Sequence, residues 1–314
     1  MANGKKKLIV LGGPTASGKT SLSIALAKAF SLEIISADSM QIYRTLDIAT
    51  AKPTVEEREG VPHHLFDVAD PGENFSVSDY VRLASEAIED ISSRGRVPMV
   101  VGGTGFYIKA LTEGADLAPV TGDPAYRAEM EAFAEKNGDD ALWKTLDSLD
   151  PVRASEIHPH NRKRVIRALE LIRATGKKAS ELSFYAPEPK YDLLTLTLDF
   201  SDRALLASRI DRRVDLMMKA GLPEEARRVL AMHLPPSSTA MQAIGYKEFI
   251  GASSPEEAAA LIKLRSRQYA KRQQTWFRGV KDAYPLPGEL PFEELLRKAS
   301  ERVSSFLAEN DAER

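Results

Sequence analysis

The sequence predicts an α/β fold, in which a parallel sheet is flanked by helices and interrupted by a mostly helical insertion. Three observations predict it: a glycine-rich pattern at residues 13–20, four short apolar runs separated by helical periodicity, and a long stretch after residue 115 without strand-like runs. Strands that alternate with helices form parallel sheets, whose ligands bind at the carboxyl ends of the strands. At 43% hydrophobic and 28% charged residues, the composition is ordinary for a globular protein.

The first strand, at residues 8–11, leads into a P-loop, and helical periodicity follows at residues 21–30. Glycines let the backbone N–H groups point inward, and the helix N-terminus adds a positive dipole. Lys19 is expected to reach a terminal phosphate and the Thr20 hydroxyl to ligate Mg²⁺. A plain glycine-rich turn is the alternative, but the strand before and the helix after favour a P-loop NTPase-like core that binds a di- or triphosphate. The predicted cradle consists of Gly13, Pro14, Thr15, Ala16, Ser17, Gly18, Lys19 and Thr20.

Apolar runs at residues 32–36, 97–101 and 193–198 predict three further strands, and residues 78–92 have a helical pattern. Asp38 follows the first of these strands and Thr104 follows the second. Because the carboxyl ends of parallel strands meet at one edge, Asp38, Thr104 and the P-loop are expected to lie together.

The chain divides into a core and an insertion. Residues 1–115 and 191–285 are predicted to form the catalytic α/β core. Residues 116–190 are predicted to be a helical insertion with a strong helix at 162–172, and another helix is predicted at about 255–279. Residues 286–314 are predicted to form a C-terminal helical tail.

Two classes of protein are excluded by composition. The chain has no cysteine, which excludes disulfides and thiolate metal sites. Lys5, Lys6 and Lys7 precede a run too short for a signal peptide, and no stretch approaches the roughly 20 apolar residues of a membrane span. We therefore expect a cytoplasmic protein with no membrane partner, and a monomer.

Two local clusters of positive charge stand out against a net charge of −2. Residues 258–281 contain seven Lys or Arg and no acid, and residues 162–167 form the second cluster. Either could be a solvated helix face. Because Trp276 and Phe277 stand beside Arg278, and stacked bases need aromatic and guanidinium planes, two such clusters favour a nucleic acid.

Asp38 is the best candidate for a general base, since partial burial after an apolar strand would raise its pKa. Capping of the next helix, or a share in Mg²⁺ coordination, is the alternative. Arg209 and Arg213 lie four residues apart on a predicted helix, where they could clamp a diphosphate or form surface salt bridges. Adjacent His63 and His64 cannot both face one metal on a regular element, so a structural or RNA-contacting role is expected.

A nucleotide kinase is one function that a P-loop suggests. NTP-hydrolysing P-loop proteins usually hold Mg²⁺ with a second acid at a strand end. The strand at 97–101 ends in Gly102-Gly103-Thr104 instead, although Asp199 ends another strand. The kinase interpretation is weakened and stays open.

Nine segments between residues 8 and 280, in chain order, resemble the tRNA dimethylallyltransferases, also called tRNA isopentenyltransferases. They are GPTASGKT at 13–20, DSMQIY at 38–43, TAKP at 50–53, HHL at 63–65, VGGTGFY at 101–107, NRKRVIRALE at 161–170, RIDRR at 209–213, AMQAIGYKE at 240–248 and YAKRQQTWF at 269–277.

The resemblance implies transfer of a dimethylallyl group from dimethylallyl diphosphate to N6 of the adenine immediately 3′ of a tRNA anticodon, adenosine-37. It implies that Asp38 accepts the N6 proton, that Thr20 holds Mg²⁺, and that Lys19 and Arg213 stabilise the leaving diphosphate. It also implies that the insertion and the C-terminal helices grip the anticodon stem-loop. The implied tRNA-binding residues are Asp38, Ser39, Met40, Gln41, Thr104, Arg127, Lys163, Arg164, Arg167, Ala240, Gln242, Gly245, Lys271, Arg272, Trp276 and Arg278.

Three other functions remain as hypotheses. An adenylate dimethylallyltransferase shares the P-loop and the aspartate, but its small substrate would not need the insertion or the basic helix. A kinase would transfer a phosphoryl group from ATP. An RNA-binding protein with a vestigial P-loop would not need the intact Lys19 and Thr20.

Overall fold

The computed structural model describes residues 5–114, 123–182, 189–235 and 238–309. The chain folds into two compact units, one formed by Met1–Glu113 with Pro189–Arg314 and the other by Gly114–Glu188. The first unit holds the sheet, and the second contains helices and no strand among its described residues.

The strands of the first unit are β1 (Lys6–Gly12), β2 (Glu33–Ser36), β3 (His63–His64), β4 (Pro98–Gly102), β5 (Tyr191–Asp199) and β6 (Tyr284–Pro287). Its helices are α1 (Lys19–Phe30), α2 (Val77–Ser93), α3 (Gly105–Thr112), α8 (Arg203–Lys219), α9 (Leu222–Leu230), α10 (Pro255–Arg278) and α11 (Phe292–Ala308). The second unit contains α4 (Pro124–Asn137), α5 (Asp139–Leu149), α6 (Pro151–Ser155) and α7 (Arg162–Thr175).

All strand pairs of the sheet are parallel, in the order β3-β2-β4-β1-β5-β6. Successive side chains of β1 point to opposite faces, so Ile9 and Leu11 enter one core cluster and Leu8 and Val10 the other. The first cluster lies under α1 and α11, and the second lies under α2 and α3. Apolar residues at every position of a central strand are expected when helices cover both faces of a parallel sheet.

The α/β fold predicted from the sequence is confirmed, and so are its four strands. Two short edge strands, β3 and β6, were not predicted. The described part of residues 286–314, expected to be a helical tail, contains the end of β6 and the helix α11, whose Leu295, Val303 and Phe306 are buried in the core.

The second unit has its own core, built from apolar residues of α4–α7 such as Leu142, Leu146 and Leu169. A fully buried carboxylate, Asp150, begins α6 by accepting from the Arg153 amide at 3.0 Å and also accepts from the amide and hydroxyl of Ser180. Because every buried polar group needs a partner, this carboxylate fixes the segment after α7 onto the unit.

Among the described residues, no helix is long and apolar enough to cross a membrane.

Candidate active site

The P-loop connects the end of β1 to the start of α1. Gly18 precedes α1 with φ of 92°, a left-handed conformation that strains any residue with a Cβ. The Lys19 ammonium donates to the carbonyls of Gly13 and Pro14, at 2.9 and 2.6 Å. The lysine therefore folds back over its own loop, at the position where a terminal phosphate oxygen would compete for it.

Lys19, Arg213 and Asp38 interact electrostatically. Burial and the nearby Arg213 guanidinium together lower the pKa of Lys19 to about 7, against the opposing effect of the Asp38 carboxylate. Burial also lowers the pKa of Arg213, again opposed by Asp38. Two desolvated cations beside one carboxylate leave local positive charge uncompensated, which suits a polyanionic ligand.

The Thr20 hydroxyl is exposed at the first turn of α1 and has no hydrogen-bond partner in the described part of the chain. Those residues also contain no group of three His, Asp or Glu side chains that could hold a metal ion. Mg²⁺ bound with a diphosphate usually takes one or two protein ligands and keeps several waters. A single threonine hydroxyl beside a phosphate cradle fits that donor set.

Asp38 lies just after β2 and is half-buried. Its Oδ1 accepts from the backbone amides of Met40 and Gln41, at 2.9 and 3.4 Å. This capping contact closes a turn and not the start of a helix, because residues 38–62 form no helix. It uses one carboxylate oxygen, and Oδ2 has no hydrogen-bond partner among the described residues, so the other oxygen can accept a proton.

Thr104 is hydrogen-bonded to the loop that contains Asp38, as expected from the positions of the two residues after parallel strands. Its Oγ1 accepts from the Ser39 amide at 3.0 Å and donates to the Ser39 hydroxyl at 3.3 Å. Gln41, two residues further on, donates to the carbonyls of Thr50 and Ala51. These bonds hold the DSMQ segment of residues 38–41 against the end of β4.

Lys52 fixes the far side of the same loop. Its ammonium is buried and donates to the Tyr43 carbonyl at 2.7 Å and to the carboxylates of Asp47 and Asp67, at 2.7 and 2.6 Å. A buried lysine persists only when it is paired in this way. Lys52 belongs to the motif at residues 50–53, and the resemblance assigned it no role. In the structure its hydrogen bonds hold the loop that follows Asp38.

Helix α10 lies directly on the P-loop and on the loop after β4. Gln273 accepts from the Thr15 amide at 2.8 Å and donates to the Gly103 carbonyl at 3.0 Å. Tyr269, one turn earlier, is hydrogen-bonded with the side chains of Thr104 and Gln273, and burial together with the charge of Asp38 raises the pKa of this tyrosine to about 12. Neither Tyr269 nor Gln273 was predicted as a site residue.

The opposite face of α10 is basic and exposed. Lys271 and Arg272 project from it, and the Arg272 guanidinium lies 5.6 Å from the centre of the Tyr269 ring. Together with Gln268, Thr275 and the half-buried Trp276, they line a groove of about 520 Å³. Cationic and aromatic side chains in one groove can hold a phosphate backbone and stack on a base.

Two arginines singled out from the sequence have other partners. Arg278 forms an ion pair with Asp199 at 2.8 Å and donates to the Phe200 carbonyl. Arg209 donates to the Gly288 carbonyl at 3.1 Å and stacks over the Phe200 ring. The predicted clamp of Arg209 and Arg213 is therefore reduced to Arg213, and the Asp199 carboxylate is bonded to α10.

In the helical unit, the buried Glu170 carboxylate forms ion pairs with Arg127, at 2.8 Å, and with Arg167, at 2.5 Å. Lys163 and Arg164 are exposed at the start of α7 and have no ion-pair partner in the described residues. Both side chains are therefore open to a polyanion.

The segment at 240–248 is held by buried carboxylates. Ala240 is fully buried in a short 3₁₀ helix, Ala240–Gln242, whereas Gln242 is exposed. Gly245 donates to Glu248 at 2.9 Å, and a Cβ at Gly245 would lie 2.7 Å from that of Ala49. The segment thus packs against the residues just after the DSMQ segment.

His63 and His64 form β3 and are structural. His63 donates from Nδ1 to the Val61 carbonyl at 2.8 Å, and burial lowers its pKa. His64 contacts the buried Glu33 carboxylate at 2.8 Å, and a hydrogen bond from Arg94 lowers the pKa of Glu33 to about 2.

Comparison with known proteins places these features in a family. The model of the IPP transferase family matches residues 41–280, and the isopentenyl transferase model matches residues 6–69. The chain is 48% identical over 283 residues to a tRNA dimethylallyltransferase of Bacillus cytotoxicus, which covers 88% of this chain and 89% of that relative.

Solved structures show the same relationship. The crystal structure of the full-length tRNA isopentenylpyrophosphate transferase from Bacillus halodurans superposes with a TM-score of 0.73 at 42% identity, over 98% of this chain and 99% of that one. A eukaryotic dimethylallyltransferase acting on tRNA superposes with a TM-score of 0.83 at 33% identity, over 98% and 80% of the two chains.

Proposed function

The chain belongs to the tRNA dimethylallyltransferase family, and on that premise we propose that it transfers the dimethylallyl group of dimethylallyl diphosphate to N6 of adenosine-37 in tRNA, releasing diphosphate. The observation that carries the proposal is the electrostatic grouping of Lys19, Arg213 and Asp38 at the P-loop. It provides cations for a leaving diphosphate and a carboxylate for an amine proton. The end of β4, which pairs with β1, carries Gly102-Gly103-Thr104 where NTP hydrolysis usually uses a second acid, and the Asp199 carboxylate at the end of β5 is paired with Arg278.

In the proposed reaction the N6 amine attacks C1 of the dimethylallyl group as the bond from C1 to the diphosphate oxygen breaks. The electron pair of that bond leaves with the diphosphate, and the N6 proton passes to Asp38. The free Oδ2 supports this role, because Oδ1 is already engaged in holding the loop. General base catalysis of this kind contributes about 10²–10⁴-fold to rate.

Lys19 and Arg213 would stabilise the charge that develops on the leaving diphosphate. Preorganised cations act more strongly in a desolvated site than in water. The backbone N–H groups of residues 13–20 would bind the diphosphate oxygens, except at Pro14, which has no N–H, and at Thr15, whose amide already donates to Gln273. Mg²⁺, bound through the Thr20 hydroxyl, would supply further neutralisation of the diphosphate.

The tRNA would be held by separate groups of residues. The DSMQ segment and Thr104 would contact the target adenine, which must leave its stack at a cost of a few kcal/mol. Lys271, Arg272 and Trp276 would contact the anticodon stem-loop through the groove on α10, and the helical unit offers Lys163 and Arg164. Arg127, Arg167 and Arg278 are paired to carboxylates, so an RNA phosphate would have to share or displace those partners.

The remaining proposals concern the state and place of the protein. We propose that it works as a monomer, since both substrates have candidate contacts within one chain. We also propose that it acts in the cytoplasm, where its tRNA substrate is found.

The test is a transfer assay with labelled dimethylallyl diphosphate and Mg²⁺, offering in parallel an unmodified tRNA with adenine at position 37, the same tRNA with guanine there, and AMP. Label in the adenine tRNA alone is the expected result. Label in AMP would make the protein an adenylate dimethylallyltransferase. Label in neither acceptor, with phosphoryl transfer from ATP, would replace the proposal with a kinase.

A further inference from the structure

Gln273 connects the two loops of the candidate site through one side chain. It lies on α10 with 5% of its surface exposed. Its Oε1 accepts from the amide of Thr15 in the P-loop, and its Nε2 donates to the carbonyl of Gly103, directly before Thr104. The carboxamide therefore contacts the loop for the diphosphate with one atom and the loop for the acceptor base with the other.

The fit around this carboxamide is close. A Cβ added at Gly103 would lie 2.1 Å from the Gln273 Nε2. On the same helix, Phe277 would meet a Cβ at Gly12 at 2.2 Å, and Trp276 would meet one at Gly105 at 2.3 Å. Gly12 at the end of β1, Gly103 just after β4 and Gly105 at the start of α3 thus let α10 approach the backbone of both loops. The sheet pairs β1 with β4 as far as Gly12 and Gly102, and Gln273 connects the two loops just beyond that last pair.

The separation of the two loops matters because the proposed reaction joins an atom held by one loop to an atom held by the other. The DSMQ segment is bonded to Thr104, so a shift of Gly103 moves the acceptor side relative to the P-loop. Reacting atoms must approach to about 3–3.5 Å, and a misplacement of about 1 Å can cost roughly 10²-fold in rate.

We propose that Gln273 is a positioning residue that sets the distance between the diphosphate loop and the acceptor loop. The inference rests on the proposed function, because it concerns the alignment of those two substrates. It assigns Gln273 no contact with either substrate: its polar atoms are already used by Thr15 and Gly103, with Tyr269 as a third neighbour.

The next residue supplies a matched control. Gln274 is also buried, at 8% exposure, and its Nε2 donates to the Asp199 carboxylate at 3.0 Å and to the Phe200 carbonyl at 2.6 Å. Neither partner lies in the diphosphate loop or the acceptor loop. Gln273→Met and Gln274→Met therefore remove similar hydrogen bonds from adjacent positions while nearly preserving side-chain volume.

The experiment measures single-turnover transfer at saturating tRNA and donor, tRNA affinity, and hydrogen–deuterium exchange of the peptides covering residues 12–20 and 102–108. For Gln273→Met we expect a rate loss on the order of 10²-fold, tRNA affinity within a few-fold of wild type, and faster exchange in both peptides. For Gln274→Met we expect a rate within about threefold of wild type and unchanged exchange there. Equal rate losses in the two variants, or unchanged exchange in Gln273→Met, would overturn the proposal.

A conservative variant tests whether Gln273 acts through its hydrogen bonds or only by filling space. In Gln273→Glu, a protonated carboxyl group can still accept from the Thr15 amide and donate to the Gly103 carbonyl. The ionised carboxylate has no proton to donate, so one of its oxygens would face the Gly103 carbonyl oxygen and repel it. The activity of this variant relative to wild type should therefore rise as the pH falls, and a ratio independent of pH would count against the inference. Inactive wild-type protein would instead refute the proposed function, and the exchange data would still decide the role of Gln273.

Discussion

Binding of diphosphate should weaken as the pH rises above neutrality, because of Lys19. Burial and the neighbouring Arg213 lower the pKa of this lysine to about 7 in the empty site. A bound diphosphate favours the charged ammonium and so raises that pKa. The tight complex therefore needs the protonated lysine, and raising the pH removes that proton from the free protein.

The size of the effect follows from the pKa. A group with a pKa of about 7 is roughly 90% protonated at pH 6, roughly 10% at pH 8 and roughly 1% at pH 9. The affinity contributed by Lys19 should fall about tenfold between pH 6 and pH 8 and about tenfold again by pH 9, each step being worth about 1.4 kcal/mol. A lysine with an ordinary pKa near 10.4 would give almost no change over this range.

The assay is calorimetric titration with inorganic diphosphate at each pH. Diphosphate itself titrates in this range, so the relevant quantity is the affinity ratio of wild type to Lys19→Met, in which the ligand's own protonation cancels. Lys19→Arg is the second control, because a guanidinium stays charged throughout. A ratio that stays flat from pH 6 to pH 9, or an equal slope in Lys19→Arg, would refute the reasoning.

Three further outcomes are expected. Asp38→Asn keeps the oxygen that holds the loop amides, so transfer should slow by about 10²–10⁴-fold with tRNA affinity unchanged within a few-fold; a matching loss of affinity in binding titrations would make Asp38 a base-binding residue instead. Arg272→Ala should weaken tRNA binding and reduce the slope of log affinity against log salt by about one, leaving diphosphate affinity intact; equal loss of both ligands would contradict this division. Gly102→Ala would set a Cβ 2.1 Å from the Ala37 carbonyl oxygen and should lower the free energy of unfolding, measured by denaturant titration, by about 1–3 kcal/mol. Gly279→Ala, whose Cβ would lie 3.4 Å from its nearest neighbour, should leave the free energy of unfolding nearly unchanged.

The parts of the fold that the sequence predicts are those specified by local patterns. Apolar runs and helical periodicity identify four strands, and parallel topology brings Asp38 and Thr104 to the P-loop edge. Local patterns do not predict β3 and β6, and the reason is physical. β3 is two histidines, and β6 contains two prolines, which disfavour strands, so both form only because a neighbouring strand offers them an edge.

The site residues that were not predicted, Tyr269 and Gln273, lie on α10, far from the P-loop in sequence. The charge pattern of that helix predicts contact with RNA and not with the P-loop. One signal could have found them. The buried positions of α10 include Ala270, Gln273, Gln274 and Phe277, a spacing that follows one face of a helix, and two of the four are glutamines. Polar residues on an otherwise buried face must have partners, so they indicate an internal connection. The identity of those partners depends on tertiary packing that no local pattern contains.

The contacts of Asp199 are consistent with a P-loop core that catalyses prenyl transfer. In phosphoryl transfer the reacting centre is a phosphorus atom, and a strand-end acid helps to hold the metal there. In the proposed reaction the bond breaks at carbon, and negative charge accumulates on a leaving diphosphate that Lys19 and Arg213 can neutralise. A strand-end acid is then free for another use, and here Asp199 binds Gln274 and Arg278 of α10. The ion pair with Arg278 fixes the carboxyl end of α10, the helix that we propose contacts the tRNA.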